Sequence, residues 1–178
     1  MSIRPTIVAT FIGIASFITS LPAVAQTPVI TRDPLKDYTR VTLDFKNEPF
    51  FLRAYLKQAR TEIDIYIVKT HSSDYSFRTA TVKWIDGTLK KPKLHHIDSD
   101  FNCSSARYGG GCRKTEHLSI DITAKSWAAL TKWAQANPES SIEFQLQSNY
   151  SDIDFNFQLK ARQITEFAMA ISGVKKNP

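Results

Sequence analysis

The chain has 178 residues, of which 42% are hydrophobic and 22% are charged, and its 23 Lys and Arg outnumber its 17 Asp and Glu. This length suits one ordinary domain with its own core. The net charge of +6 favours an anionic envelope component or an acidic protein as partner, although a charge of this size also serves solubility alone. RNP-type, zinc-finger and helix-turn-helix signatures are absent, so we expect no nucleic-acid partner.

The first 25 residues have the pattern of a secretory signal peptide. Arg4 supplies positive charge, residues 6–21 form an uncharged apolar run, and Ala23-Val24-Ala25 is an A-x-A cleavage site. We therefore predict cleavage after Ala25 and a periplasmic or secreted protein. No cysteine near this site could carry a lipid, and no later apolar run approaches the ~18 residues of a spanning helix, so we expect no membrane anchor.

The rest of the chain divides into three segments. Residues 26–36 contain Pro28 and Pro34 and few apolar side chains, so we predict a flexible N-terminal segment. Residues 37–173 form the predicted single globular domain, and residues 174–178 form a C-terminal tail.

Alternating apolar residues mark the first strands of the domain. Val41, Leu43 and Phe45 alternate with polar residues and predict a strand, and so do the isoleucines at positions 63, 65 and 67. Between them, residues 49–60 fit either a short helix capped by Asn47 or a strand, and the pattern leaves both open.

A hairpin and a strand follow. Residues 75–85 and 89–97 flank Asp86-Gly87, which suits a two-residue type I′ turn. Pro92 places the second arm at a sheet edge, because proline cannot donate to a ladder of hydrogen bonds. Leu118, Ile120 and Ile122 predict the next strand.

The last third contains the clearest helices. Residues 123–137 predict a helix that Thr123 caps, and residues 161–171 predict another that ends near Gly173. Residues 142–146 and 153–159 alternate on either side of a turn and predict a hairpin. The whole pattern indicates an α+β fold, in which two or three helices pack on one face of an antiparallel β-sheet of about six to seven strands.

Cys103 and Cys112 are the only cysteines, and in an oxidising compartment such a pair predicts a disulfide. The closed loop of ten residues contains three consecutive glycines, which ease its closure. The chain-entropy relation gives this bond roughly 2.7 kcal/mol of stabilisation. Redox catalysis is the alternative, but it favours C-x-x-C spacing, which is absent.

One cluster has the chemistry of a metal site. In an extended segment His96, Asp98 and Asp100 project on one side, and carboxylates with an imidazole suit a hard divalent cation. The alternative is a solvated strand end. His71 and His117 are isolated, and we expect them to be surface or hydrogen-bonded residues.

Basic residues are concentrated around the predicted disulfide loop. The candidate binding residues are Lys90, Lys91, Lys93, Arg107, Arg113 and Lys114. Residues 134–159, by contrast, contain acidic residues and no Lys or Arg. The pattern indicates either a docking patch carried by a rigid loop or two charged faces that are solvated or pair with each other.

Short motifs also resemble those of uncharacterised exported proteobacterial proteins that have one short disulfide loop. The resemblance is carried by Arg78-Thr79-Ala80, Asp86-Gly87, Cys103, Cys112 and Glu116, and it spans about residues 75–171. It implies a bacterial periplasm, but no activity, cofactor or catalytic residue.

No nucleophile elbow, H-E-x-x-H, phosphate-binding loop or dinucleotide motif is present in the sequence, so we predict no cofactor and assign no catalytic residue. The leading hypothesis is an exported soluble binding or protein-interaction module, a class that includes inhibitor and immunity-type proteins. The alternatives are an envelope hydrolase with an unrecognised active site and a structural subunit of an envelope assembly.

Overall fold

The computed structural model describes residues 27–33, 35–57, 60–72, 75–103, 111–150 and 153–176, within which there are ten strands and two helices. The predicted signal peptide lies outside these residues. The elements are β1 (Val29–Asp33), β2 (Tyr38–Asp44), β3 (Phe50–Leu56), β4 (Thr61–Ser72), β5 (Phe77–Lys83), β6 (Leu89–Lys90), β7 (Leu94–Cys103), β8 (Cys112–Ile122), α1 (Ala124–Ala136), β9 (Ser141–Ser148), β10 (Asp154–Lys160) and α2 (Ala161–Lys176).

The strands form two antiparallel sheets. The order in the six-stranded sheet is β1-β2-β3-β4-β8-β7, and the order in the four-stranded sheet is β10-β9-β5-β6. The chain leaves the first sheet after β4 and returns to it after β6. Residues 91–93 therefore cross from one sheet to the other.

One core joins both sheets and both helices. Ile63, Ile65 and Ile67 point to the inner face of the six-stranded sheet, where Leu118 and Ile120 of the neighbouring strand pack beside them. The inner residues of the four-stranded sheet and of the helices belong to the same buried cluster. A single hydrophobic interior thus holds together segments that are distant in sequence.

The helices pack against each other beside the four-stranded sheet, and the rings of Trp127 and Phe167 meet edge to face at 5.7 Å. Thr123 caps α1, and its side chain accepts a hydrogen bond from the N–H of Ser126, as expected. The second helix continues past Gly173 to Lys176, farther than the sequence indicated. Neither described helix is long and apolar enough to cross a membrane.

The α+β class is confirmed, but the single sheet of six to seven strands is wrong. Ten described strands are divided between two sheets, and the two helices contact strands of both sheets. Alternation shows that a strand has one buried face, but it does not show which sheet the strand joins. The predicted hairpin of β9 and β10 is present.

Residues 50–56 form a strand, which resolves the open choice between helix and strand. Phe50, Leu52 and Ala54 are buried on one face, and the strand pairs with β2 on one side and β4 on the other. These two ladders of hydrogen bonds outweigh the weak helical pattern. Asn47 does not cap a helix, because it takes a φ of 68° in the turn before β3.

The hairpin around Asp86-Gly87 has the expected position and a different turn. The N–H of Trp84 donates to the carbonyl of Thr88 at 2.8 Å, and Gly87 has a φ of 79° while Asp86 does not have a positive φ. The loop thus has three residues with glycine in the left-handed position, and it is not a type I′ turn. Its second arm ends after two residues at the edge of the sheet, just before Pro92.

The segment predicted to be flexible contains a strand. β1 pairs with β2 from Val29 to Asp33 and forms an edge of the six-stranded sheet. Its side chains are largely exposed, so its sequence lacks the alternation of apolar and polar residues that marks a strand with one buried face.

Candidate functional site

Three of the predicted basic residues lie where the chain crosses between the sheets. Lys90 ends β6, and Lys91 and Lys93 lie in the crossing segment before Leu94 begins β7. All three lysines are exposed, whereas Pro92 between them is half-buried. We call this stretch, residues 90–93, the lysine crossing.

A cleft opens beneath the lysine crossing, between the inner faces of the two sheets and the beginning of α1. Its volume is about 370 Å³. Its apolar walls are formed by Val82, Trp84, Ile120, Ile122 and Phe144. A concave, mainly apolar space with a few charged groups at its mouth is the usual form of a small-ligand site. We call it the lysine cleft.

The lysines at the mouth of this cleft form no close ion pairs, although the charge of Lys90 acts on the carboxylate of exposed Asp86. No ion pair joins Lys90, Lys91 or Lys93 to a carboxylate of any described residue. The Nζ of Lys90 lies 4.4 Å from the centre of the Trp84 ring, where a cation–π contact holds it at the mouth.

The first turn of α1 adds to the positive potential. Thr123 and Ser126 line the cleft, and the first turn of this 13-residue helix contains no acidic residue that would offset the positive end of its dipole. Asp121 also lies at the rim, and its Oδ2 is 2.9 Å from Nε2 of His95 in a contact without hydrogen-bond alignment. Positive charge therefore predominates at the mouth.

The other predicted basic residues lie at the opposite end of the β7–β8 hairpin. Lys114 pairs with Phe101, whereas the lysine crossing adjoins the pair of Leu94 with Ile120. Six residues of a strand span roughly 20 Å, so the two groups do not form the single docking patch that we expected. Arg107 lies outside the described residues, and Arg113 is exposed near the beginning of β8.

The predicted disulfide between Cys103 and Cys112 is confirmed, with the two Cα atoms 4.0 Å apart. It joins the ends of β7 and β8, where these residues form the last pair of the ladder. The bond thus links the two strands at this end of their ladder.

Lys114 belongs to a largely buried network around Glu116, unlike the exposed lysines of the lysine crossing. Its Nζ donates to Glu116 Oε1 at 3.0 Å and to the hydroxyl of Ser76, and its side chain is only 12% exposed. Glu116 Oε2 accepts hydrogen bonds from Nε2 of His71 at 2.9 Å and from the N–H of Phe77 at 3.1 Å. His71 is thus hydrogen-bonded, as expected.

Electrostatics in this network favour ionised Glu116. Burial raises the pKa of Glu116, but hydrogen bonds from Lys114, Phe77 and His71, together with the charge of Lys114, lower the pKa to a net value below the ordinary one. Nδ1 of His71 lies 2.6 Å from the carbonyl oxygen of Ser72, so both ring nitrogens lie within hydrogen-bond distance of oxygen atoms. The side chains of His71 and Glu116 are 2% and 1% exposed. These two side chains are enclosed, although Nδ1 of exposed His96 comes within 3.6 Å of Glu116 Oε1.

The expected common face of His96, Asp98 and Asp100 is wrong. His96 is paired with Leu118 and Asp98 with His117, so the register shifts by one residue at Ile97. This bulge turns His96 to the inner face and leaves both aspartates on the outer face. Within the described residues, no group of three or more His, Cys, Asp and Glu has the arrangement of a metal site.

A second, larger cavity of about 670 Å³ lies at the other side of Asp121. Its charged lining residues already have partners, because Arg60 contacts Glu62, Asp64 contacts Arg53 outside the cavity, and Asp121 contacts His95. It therefore offers a ligand fewer unsatisfied charges than the lysine cleft does.

Sequence reasoning missed two features. The first is an ion pair on the outer face of the six-stranded sheet, in which Nη2 of Arg53 lies 2.6 Å from Oδ2 of Asp64. The rings of Tyr55 and Tyr66 flank the guanidinium group of this arginine. The second is the cleft itself, whose apolar walls are Val82, Trp84, Ile120, Ile122 and Phe144. In the sequence these apolar residues indicate only a hydrophobic core. The run of lysines was the one available signal for the site.

Comparison of the chain with protein families, with curated proteins and with solved structures returned no match. The function is therefore inferred from the residues of the lysine cleft and their geometry.

Proposed function

We propose that this protein is an exported binding module that captures a small anionic ligand at the lysine cleft. One observation carries the proposal: three exposed lysines that form no ion pair with a described carboxylate line a cleft with apolar walls. A bound anion supplies the missing partner, and apolar walls strengthen this attraction by excluding water.

Binding is favoured over catalysis by the placement of the titratable groups. In the described part of the chain, His71, Glu116 and Lys114 bring together a histidine, a carboxylate and a lysine. These side chains are hydrogen-bonded to one another in the interior. The hydroxyls of Thr123 and Ser126 also line the lysine cleft, but Thr123 donates to Ser126 Oγ and caps the helix, and no described hydrogen bond joins either hydroxyl to a base.

Export is supported by the signal-peptide pattern of residues 1–25 and by the disulfide, since such bonds persist in oxidising compartments. The resemblance to exported proteobacterial proteins supports a periplasmic location. Intact mass of the protein recovered from a bacterial periplasm should correspond to residues 26–178 with no free thiol. A mass that includes residues 1–25 in the recovered protein would contradict the export part of the proposal.

Equilibrium binding to a panel of anions tests the ligand class. The panel comprises phosphate, citrate, decanoate and a short acidic peptide, and we expect at least one to bind with an affinity that falls as salt increases. A variant with Lys90, Lys91 and Lys93 changed to Gln should bind that anion at least tenfold more weakly.

A control variant changes Lys36, Lys46 and Lys132 to Gln, three lysines that are also exposed and whose replacement removes the same charge. It should bind like the unmodified protein. Equal weakening in both variants means that only diffuse charge attracts the anion, and the proposed site is then rejected. Absence of binding by every anion in the panel rejects the proposed function.

A further inference from the structure

The apolar walls of the lysine cleft narrow the class of ligand further than its charges do. Val82, Ile120 and Phe144 are almost fully buried at its base, and Trp84 and Ile122 are partly buried at its sides. These residues come from both sheets, so the cleft enters the protein interior between the sheets. A fully hydrated anion such as phosphate would make no use of the apolar side chains that line the cleft.

The size of the cleft limits the apolar part of the ligand. Its volume is about 370 Å³. At about 30 Å³ for each water-sized group, this space holds roughly twelve carbon-sized groups. The positive groups lie at its mouth, so the ligand must carry its negative charge at one end.

We infer that the ligand is an amphipathic monocarboxylate, whose unbranched hydrocarbon chain of about ten to twelve carbons fills the cleft. The carboxylate lies at the lysine crossing, and the chain packs against the walls beneath it. This inference rests on the proposed function and specifies its ligand. Lys91 and Lys93 hold the carboxylate, while Lys90 stays in contact with Trp84.

A chain-length series on the unmodified protein provides the main test. Isothermal titration calorimetry is carried out with butanoate, octanoate, decanoate, dodecanoate and hexadecanoate below their aggregation concentrations. Each buried methylene should tighten binding about fourfold until the cleft is full, after which affinity should stop rising. Dodecyltrimethylammonium, which has the same tail and the opposite charge, should bind at least tenfold more weakly than dodecanoate.

A variant that fills the cleft tests its location. Ser126 lines the cleft in the first turn of α1, and Ser126→Trp should reduce the affinity for dodecanoate at least tenfold. Ala129→Trp places the same side chain at an exposed position of the same helix and should leave the affinity unchanged. Far-UV circular dichroism checks that both variants fold. The chain-length series uses the unmodified protein, so it tests the inference even if a variant does not fold.

The outcomes separate the two proposals. If phosphate or citrate binds through the three lysines but affinity does not rise with chain length, the inferred ligand class is wrong and the proposed function stands. Unchanged dodecanoate affinity in a folded Ser126→Trp variant also rejects the inference. If no carboxylate or other anion distinguishes the lysine variant from its control, both proposals fail.

Discussion

At the scale of single residues, burial decides which charged groups are structural. Lys114 and Lys91 both belong to the basic stretch of the sequence, but the first is enclosed with Glu116 and the second is exposed over a cleft. A buried charge must have a partner, because the interior cannot solvate it. Exposed charges without partners remain available for a ligand.

Changing Glu116 to Gln should destabilise the protein by about 3–5 kcal/mol, because buried Lys114 then loses its countercharge. Urea unfolding measures this difference. Glu62→Gln removes exposed pairs with Lys57 and Arg60 and should cost less than about 1 kcal/mol. Equal costs for the two variants would contradict the structural role of the Glu116 network.

The same carboxylate predicts a pH dependence. The pKa of Glu116 in the folded protein is lowered, so its stabilisation is fully present above the unfolded pKa of about 4.3 and is lost as pH falls through the lower folded value. The stability difference between the unmodified protein and Glu116→Gln should thus be constant near about pH 5 and shrink on further acidification. Urea unfolding at pH values from about 5.5 down to 2.5 measures it. A difference that grows on acidification would contradict the prediction.

At the scale of elements, turns and pairing partners decide what local patterns leave open. The three-residue turn before β6 needs a left-handed residue, which Gly87 supplies with its φ of 79°. The β7–β8 hairpin combines a bulge at Ile97 with a disulfide at its tip. The bulge decides the face of each residue that follows it, which no periodic pattern anticipates.

Gly87→Ala should lower the free energy of unfolding by about 1–2 kcal/mol, because a side chain disfavours the left-handed conformation. An added Cβ meets no atom within 4 Å, so the cost comes from the backbone alone. Gly173→Ala in α2 has equally open surroundings and should instead stabilise the protein by about 0.5–1 kcal/mol. Thermal unfolding should give shifts of opposite sign, and shifts of the same sign would contradict this account.

Reducing the Cys103–Cys112 bond should lower stability by about 2.7 kcal/mol without unfolding the domain. The bond closes a short loop, whereas the core that holds the sheets together lies elsewhere in the molecule. Urea unfolding with and without reductant measures the loss. A variant with both cysteines changed to Ser should be insensitive to reductant, and complete unfolding on reduction would show that the core is weaker than inferred.

At the scale of the whole molecule, one interior unites two sheets and two helices. Ile65 of the larger sheet and Leu146 of the smaller sheet are both fully buried in the same cluster. Ile65→Ala and Leu146→Ala should each cost about 2–5 kcal/mol. Because the core is shared, unfolding followed by tryptophan fluorescence and by far-UV circular dichroism should coincide in both variants. Separate transitions would indicate two independently folding units.

The sequence predicted much of the local structure and part of the candidate site. The cap at Thr123 and the alternation in β4 and β9 depend on neighbouring residues, so they can be read directly. The lysine run also marked one side of the site. The choice of strand for residues 50–56 and the burial of Lys114 depend on elements far away in the chain.

What the sequence determined by itself is therefore the α+β class, the disulfide and most element positions, since propensity, alternation and capping act over a few residues. The tertiary structure alone decided that the strands form two sheets, that the basic residues separate into two groups, and that a cleft lies beneath the lysine crossing. The physical reason is that pairing and burial are set by contacts between distant segments, whereas periodicity reveals only that a residue is buried, and not what it faces.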